Sequence, residues 1–412
     1  MLARMRMEVR EYRNLLLDEG ILAKTCASRT PELRIGREVA PHLVCSTHMY
    51  AEPARLARVG VMCSALALVA SCNSAPADRV ARSSSFSLAS TSASPWSCPV
   101  SDKLVPACGA LWGVTTPAPN SADLERLERE VGRSFNFVYR FHDINDVIPT
   151  QDERRLVDEG KILHITIESR DFADPDRTSV PWASVARGDF DSHLIAQAKG
   201  IASLKVPVYL TFDHEPDQQP KTALGTGADY IRAWRHVYNL FLRAGATNAV
   251  WVWVITGWQP ALSRAATMWP GNKYVDWISW EAYNQSGCQG GHLDPSQFTS
   301  FGTSIENVYN WVHSVGPTIG MDPNKPMMIS EAGSVLYPDD PALTANWYAA
   351  IPKVLARYPQ IKAIGLWDHT GSAPSCDFRV DRNAAVLAAV RAAGNAQWVT
   401  IDPHVATSPP KR

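Results

Sequence analysis

The sequence predicts an α/β fold, a single (β/α)8 TIM barrel that occupies residues 98–400. Three observations predict it: short apolar runs alternate with amphipathic segments, the runs number eight, and about 300 residues hold them all. Each run has the length and the aromatic or β-branched content of a buried parallel strand. The runs occupy residues 110–115, 135–141, 162–167, 206–212, 249–255, 275–280, 326–330 and 361–367.

Amphipathic helical patterns lie between the predicted strands. Residues 228–244 place Ile231, Trp234, Val237, Tyr238 and Phe241 on one stripe, and the pattern stops at Gly245. A second pattern repeats at i, i+3, i+4 and i+7, with Ile305, Val308, Tyr309 and Val312. An open doubly wound sheet is the alternative, but no glycine-rich phosphate loop follows the first strand.

Composition describes a globular chain with enough apolar material for one large core. Of its 412 residues 45% are hydrophobic, 14 are Trp, and the formal net charge is -1. Because the chain has no basic excess, we expect no nucleic-acid partner. Abundant Trp and Tyr suit stacking against a neutral ligand such as a sugar. We expect a monomer that binds a polysaccharide or oligosaccharide and needs no cofactor and no metal.

The N-terminal region has the order of features of a bacterial lipoprotein signal. Arg55 and Arg58 precede the apolar run 59–70, and small residues lead to Cys72, the predicted lipid acceptor. A short buried helix is the alternative, since 12 residues are too few to span a bilayer, which takes about 20. We therefore expect export and a lipid anchor at the bacterial cell membrane or cell surface.

The signal reading divides the chain into segments. Residues 1–48 would be an extension upstream of the true start, residues 49–72 the signal peptide, and residues 73–97 a Ser- and Ala-rich tether. The barrel would fill residues 98–400 and leave 401–412 as a disordered tail. Four cysteines of the exported domain allow three pairings, of which we expect Cys98 with Cys108 and Cys288 with Cys376.

Polar residues cluster where the predicted strands end. The carboxyl ends of barrel strands build the active site, so these residues converge on one mouth. Each acid alone could be a helix cap or an ion-pair partner, which is the alternative interpretation. The residues are His142, Asp143, Glu168, Asp213, His214, Glu215, Glu281, Tyr283, Glu331, Trp367 and Asp368.

Glu215 and Glu331 follow the fourth and seventh predicted strands, which face each other across the ring. A protonated carboxyl opposite an ionised one, in a cleft lined with aromatics, is what glycoside hydrolysis requires. We expect Glu215 to be the protonated member, with its pKa raised above about 4.3 by burial and by Glu331, and Glu331 to stay ionised.

Four stretches of the sequence resemble glycoside hydrolase family 26, a family of β-mannanases with retaining (β/α)8 barrels. The resemblance extends from about residue 110 to 385. The matching stretches are DYIRAWRHVYNLFLRAGATNAVWVW (229–253), HE (214–215), YVDWISWEAYN (274–284) and KPMMISEAGS (325–334).

The resemblance implies a role for each matching residue. Glu215 would be the general acid/base and Glu331 the nucleophile, while His214 and Tyr283 would orient the nucleophile and the sugar. Trp367 would form the aromatic floor under the sugar that is cleaved, although a core Trp at the barrel rim is an equal alternative. His142 joins the expected substrate-binding residues as a strand-end side chain. The retaining mechanism implies carboxyl groups about 5 to 5.5 Å apart.

Two loops depart from the family pattern, and they leave the substrate open. PDQQPKTALGTG follows the acid, and ITGWQP ends the fifth strand. The candidate substrates are therefore β-1,4-mannan, xylan, glucan and envelope glycans. The alternative function is that of a non-catalytic surface carbohydrate-binding lipoprotein. HEPDQ lacks the second His of HExxH zinc proteases, and the sequence has no GxSxG elbow and no P-loop.

The lipid anchor is testable in the native host. If Cys72 carries the lipid, the protein should fractionate with membranes, and Cys72→Ala should release it or leave an unprocessed precursor. Native protein in the soluble cytoplasm with an intact N-terminus would refute export.

Overall fold

A computed structural model of the chain describes residues 98–174, 179–371 and 373–401. The predicted extension 1–48, the signal peptide 49–72 with Cys72, and the tether 73–97 lie outside the described residues. Ile401, assigned to the tail from sequence, is buried, and its carbonyl accepts a hydrogen bond from Asn136 Nδ2. The rest of the predicted tail, 402–412, also lies outside.

Eight parallel strands close into a barrel, which confirms the predicted fold. Neighbours in the chain are neighbours in the sheet, and the eighth strand pairs with the first. The strands are β1 (Leu111–Thr115), β2 (Phe137–Asp143), β3 (Ile162–Glu168), β4 (Val208–Phe212), β5 (Ala249–Ile255), β6 (Trp277–Asn284), β7 (Met327–Ser334) and β8 (Ile361–Trp367).

Helices connect the strands and cover the barrel, as the βα repeat requires. They are α1 (Ser121–Val131), α2 (Gln151–Asp158), α3 (Trp182–Arg187), α4 (Asp191–Leu204), α5 (Gly227–Arg243), α6 (Leu262–Ala266), α7 (Phe301–Ser314), α8 (Pro341–Ala349), α9 (Ile351–Arg357) and α10 (Ala384–Gly394). Among the described residues, none of these helices is both long and apolar enough to cross a bilayer.

The two helices predicted from periodicity are α5 and α7. Thr226 caps α5 in a capping box with Asp229, which satisfies backbone donors of the first turn. On α5 the predicted stripe packs inward through Trp234, Val237 and Phe241, which are fully buried. The hydrophobic face of each helix is what attaches it to the sheet.

Strands β6 and β7 run past the apolar segments that predicted them. Both continue to the mouth, so Glu281, Tyr283 and Glu331 lie within strands and not in loops. Glu281 pairs with Glu331 across the two strands, after a register shift at Trp280. Polar side chains can extend a barrel strand where it reaches the open end, and periodicity of apolar residues cannot detect such an extension.

The N-terminal segment closes the end of the barrel opposite the mouth. Tyr209 Oη donates a hydrogen bond to the Leu104 carbonyl at 2.9 Å, and Trp277 Nε1 donates to the Lys103 carbonyl at 2.8 Å. Cys98 and Cys108 form a disulfide that closes this segment on itself. The first predicted cysteine pair is thus joined in the structure.

The second disulfide, Cys288–Cys376, links the loops that follow β6 and β8, with 5.1 Å between the Cα atoms. Both cysteines are buried in a small apolar cluster with Val335, Tyr337 and Phe378, and Tyr283 and Trp367 pack against it. This cluster lies on the mouth side of the sheet. It therefore supports two of the predicted site residues from behind.

Candidate active site

The stretch Asp213, His214, Glu215 makes a strained turn directly after β4. Asp213 and Glu215 have φ values of 50° and 49°, a left-handed conformation that costs an L-residue about 1 to 2 kcal/mol. The turn is held by both neighbouring strands, because Asp213 N donates to the Ile167 carbonyl at 2.8 Å and Glu215 N donates to the Val254 carbonyl at 3.0 Å. Strain of this kind persists where the surroundings over-determine it.

Lys221 is the buried cation that holds this turn. Its Nζ donates hydrogen bonds to Asp213 Oδ1 at 2.7 Å, to Glu168 Oε2 at 3.1 Å and to the His214 carbonyl. Trp182 Nε1 donates to the other oxygen of Asp213. Although burial opposes it, the carboxylates of Asp213 and Glu168 raise the pKa of Lys221 above its ordinary value. Lys221 was missed from sequence because it lies in the loop where the chain departs from the family pattern.

His214 connects the Lys221 cluster to Glu215. Its Nδ1 bonds to Glu168, and its Nε2 lies 3.8 Å from Glu215 Oε2. Burial lowers the pKa of His214, but the Glu168 carboxylate outweighs burial and raises that pKa overall. The raised pKa favours the protonated imidazole beside Glu215.

Tyr283 and Glu331 form the second half of the site. Tyr283 Oη donates a hydrogen bond to Glu331 Oε2 at 2.6 Å, while Glu331 Oε1 is buried without a hydrogen-bond partner. Burial raises the pKa of Glu331 to about 7; the Glu215 carboxylate adds to the rise, and His214 and Tyr283 oppose it. Burial therefore opposes the ionised form that sequence reasoning assigned to Glu331, and Tyr283 and His214 favour it.

Glu281 is the third carboxyl group of the mouth. Burial raises its pKa well above the ordinary value, with further contributions from the charges of Glu215 and Glu331. One carboxyl oxygen of Glu281 lies within 4.8 Å of one of Glu215. The raised pKa favours the protonated form of Glu281, a group to which sequence reasoning assigned no proton.

His214, Glu215 and Glu281 could each offer one ligand atom to a cation, since these atoms lie within 4.8 Å of one another. Because His214 Nδ1 is bonded to Glu168, the ligand atom of His214 in this group would be Nε2.

Trp367 ends β8 at the rim of the mouth, where it is partly buried. Its ring meets Phe141 edge-on with 5.9 Å between centroids, and Phe141 meets His214 with 5.1 Å between centroids. Phe141 thus bridges Trp367 and His214. Phe141 was missed because it is the last residue of the predicted second strand, and only the polar residues His142 and Asp143 that follow it were considered at this strand end.

His142 does not lie with these residues, which corrects its assignment as substrate-binding. Its Nε2 bonds to Glu153 Oε1 at 2.7 Å and its Nδ1 to Asp146 Oδ2 at 3.1 Å. Successive side chains of a strand point to opposite faces, so if Phe141 faces the mouth, His142 faces α2. Although burial opposes it, these two acids raise the pKa of His142 to about 9.

Two of the strand-end acids have structural roles. Asp143 accepts hydrogen bonds from the backbone N–H groups of Asn145 and Phe172, and Asp368 accepts one from Val380 N at 2.7 Å. These two acids bind backbone N–H groups of the loops that follow their strands. Glu215, Glu281 and Glu331 remain as the carboxyl groups grouped around the mouth.

Comparisons with known proteins find distant sequence relatives and solved structures with the same fold. No family model matches the chain. A region of 288 residues is 25% identical to Endoglucanase H of Acetivibrio thermocellus and covers 67% of this chain and 29% of that protein. A region of 172 residues is 25% identical to a β-1,3-xylanase of a Vibrio species and covers 40% of this chain and 33% of that protein. The chain thus spans about a third or less of these relatives.

Solved structures share the barrel. An endo-β-1,4-mannanase double mutant of Cellulomonas fimi has a TM-score of 0.50 at 14% identity, with 71% of each chain covered. A family 26 β-mannanase of Bacteroides ovatus has a TM-score of 0.51 at 13% identity, with 71% of this chain and 90% of that chain covered. The chain therefore has the barrel fold of glycoside hydrolase family 26, the family that its sequence motifs resemble.

Proposed function

We propose that this chain is a retaining β-glycoside hydrolase that cleaves a β-linked polysaccharide by double displacement. The observation that carries the proposal is the contrast between the two carboxyl sites. Glu331 has one oxygen held by Tyr283 and the other buried and unpartnered, while Glu215 lies beside His214 and Glu281. A nucleophile and a proton donor on separate strands are the two groups that glycoside hydrolysis uses.

In the first step Glu331 Oε1 attacks the anomeric carbon as the bond from that carbon to the leaving oxygen breaks. Tyr283 keeps its hydrogen bond to Oε2 and so leaves Oε1 free to form the new bond. The leaving oxygen takes a proton from Glu215, which Glu281 can replenish. The products of this step are a glycosyl ester on Glu331 and a free hydroxyl on the departing sugar.

In the second step Glu331 is an uncharged ester. Its negative charge therefore no longer opposes the ionised form of Glu215. Glu215 then accepts a proton from water as the water oxygen attacks the anomeric carbon. Glu331 leaves as a carboxylate, and the sugar has its original anomeric configuration. The cation on His214 stabilises both carboxylates while they are ionised.

For the substrate we propose β-1,4-mannan or a related neutral β-glycan. The support is the fold shared with β-mannanases, the distant relationship to an endoglucanase and a β-1,3-xylanase, and the uncharged aromatic rim at Trp367 and Phe141. The alternative, a non-catalytic carbohydrate-binding protein, has no need for a buried, unpartnered carboxyl oxygen on Glu331 in the same mouth as Glu215. Export is also part of the proposal, since two disulfides in one domain suit an oxidising compartment.

Two variants should fail in different ways when the purified domain is assayed on mannan, glucan, xylan and activated aryl glycosides. Glu331→Ala should lose turnover on every substrate, because no other carboxylate can form the ester. Glu215→Ala should lose about 10²- to 10⁴-fold on polysaccharide. On aryl glycosides that need no proton it should still react, then stall at the ester and regain turnover with azide.

Glu306→Ala, on the exposed side of α7, is the matched control and should behave like the wild type. Azide-dependent recovery in Glu168→Ala or Glu281→Ala, with Glu215→Ala fully active, would show that the proton donor is assigned to the wrong residue.

The pH dependence of kcat/KM should report the ionisation of Glu331. Because Glu331 must be ionised to attack, kcat/KM should fall as pH drops through its pKa of about 7. Tyr283→Phe removes a donor that stabilises the ionised form, so the acidic limb should move to higher pH. Tyr309→Phe, on the outer helix α7, should leave the limb in place. A limb that stays or moves to lower pH in Tyr283→Phe would contradict this role of Tyr283.

A further inference from the structure

One large aromatic side chain at the mouth is exposed without an assigned role. Trp258 is 63% exposed and follows β5 by three residues. The loops after the strands form the mouth of the barrel, so Trp258 lies at the same end as Glu215. An exposed Trp presents a large apolar face to water, which favours a partner that covers it.

Hydrogen bonds connect the backbone around Trp258 to the loop that contains Glu215 and Asp217. Thr256 donates two hydrogen bonds to Asp217, from N to Oδ1 at 3.0 Å and from Oγ1 to Oδ2 at 2.7 Å. Trp258 N donates to Thr256 Oγ1 at 3.2 Å. Asp217 is buried and follows Glu215 by two residues. The position of Trp258 is therefore coupled to that of the proposed acid.

Gly257 fixes the same turn against β6. Its φ is +69°, and a Cβ at this position would lie 2.6 Å from the Glu281 carbonyl oxygen. Only glycine accommodates both the left-handed backbone and this close approach. The Trp258 turn is thus held between the strands that carry Glu215 and Glu281, and the exposed ring sits on a rigid support.

Strand order places Trp258 across the mouth from the other aromatic rim. In the closed barrel β5 is separated by two strands from both β2 and β8, which carry Phe141 and Trp367. Glu215 and Glu331 come from β4 and β7, which lie between these two sides. The proposed reaction centre therefore has an aromatic group on either side of it.

We propose that Trp258 is a sugar-stacking platform for the leaving-group side of a neutral β-linked polysaccharide. This inference rests on the proposed function. Glu215 protonates the leaving oxygen, so the departing sugars lie on its side of the cleft, where Asp217 and Thr256 hold Trp258. A flat indole face matches the C–H face of a β-linked pyranose and carries no charge.

Kinetics on polysaccharide and on aryl glycosides tests this site. Trp258→Ala should lower kcat/KM on polysaccharide about tenfold, equivalent to about 1.4 kcal/mol, mainly through KM. It should leave activated aryl glycosides unchanged, because their leaving group has no further sugar. Transfer of the glycosyl group to added oligosaccharide should fall by a similar factor. Trp258→Phe should retain most activity.

Leu242→Ala is the control, since Leu242 is 52% exposed on the outer helix α5. Thermal melting should show that all three variants are folded. Equal loss on polysaccharide and on aryl glycosides, or no loss on either, would overturn the platform while leaving the proposed function intact.

If the wild type cleaves none of the glycans, the proposed function fails, and affinity electrophoresis in glycan-containing gels then decides the inference. Retardation of the wild type that Trp258→Ala abolishes supports the platform. Retardation that Trp258→Ala retains, or no retardation of the wild type by any glycan, overturns it.

Discussion

The ion pair network around the ammonium group of Lys221 is the constraint on which the proposed site depends. Two carboxylates from adjacent strands, Asp213 and Glu168, lie close together in a buried region only because Nζ stands between them. Removing one partner of such a buried network typically costs about 3 to 5 kcal/mol, because the remaining charges lose their compensation. The same ammonium binds the His214 carbonyl, so it also holds the strained turn that presents Glu215.

Beyond this network the mouth holds more carboxyl groups than cations. The neutral, protonated form of some of these carboxyl groups is therefore favoured. Lys221 and His214 compensate Asp213 and Glu168, but Glu215, Glu281 and Glu331 share one small buried region. Burial and mutual repulsion therefore raise the pKa values of Glu281 and Glu331. A pKa of about 7 for Glu331 and a raised pKa for Glu281 place an ionisable and a proton-holding carboxyl group in one mouth near neutral pH.

Sequence reasoning predicted the barrel because strand and helix patterns repeat regularly and each element buries one face. It placed Glu215 and Glu331 at the mouth because strand ends are readable once the strands are known. It assigned His142 wrongly, since one residue of strand alternation decides whether a side chain faces the mouth or a helix. It listed Glu281 among the strand-end residues without a role, because the extension of β6 by polar residues leaves no apolar signal.

The contacts of Lys221 could not be predicted, because they join a short turn after β4 to the end of β3 through the fold and not through spacing. Trp258 gave a signal only as part of a loop that departs from the family pattern. Its exposure became visible when β5 was placed against β4 and β6. In both cases a loop that departs from the family pattern contributes a residue that supports or extends the proposed active site.

The most direct test of the account is to identify the residue that becomes covalently attached to sugar. A 2-deoxy-2-fluoro glycoside with an activated leaving group slows the second step and lets the ester accumulate. Digestion and mass spectrometry should find a single label, on the peptide that contains Glu331, and the label should be absent from Glu331→Ala. A label on Glu215 or Glu281, or hydrolysis with inverted configuration and no label, would contradict double displacement at this site.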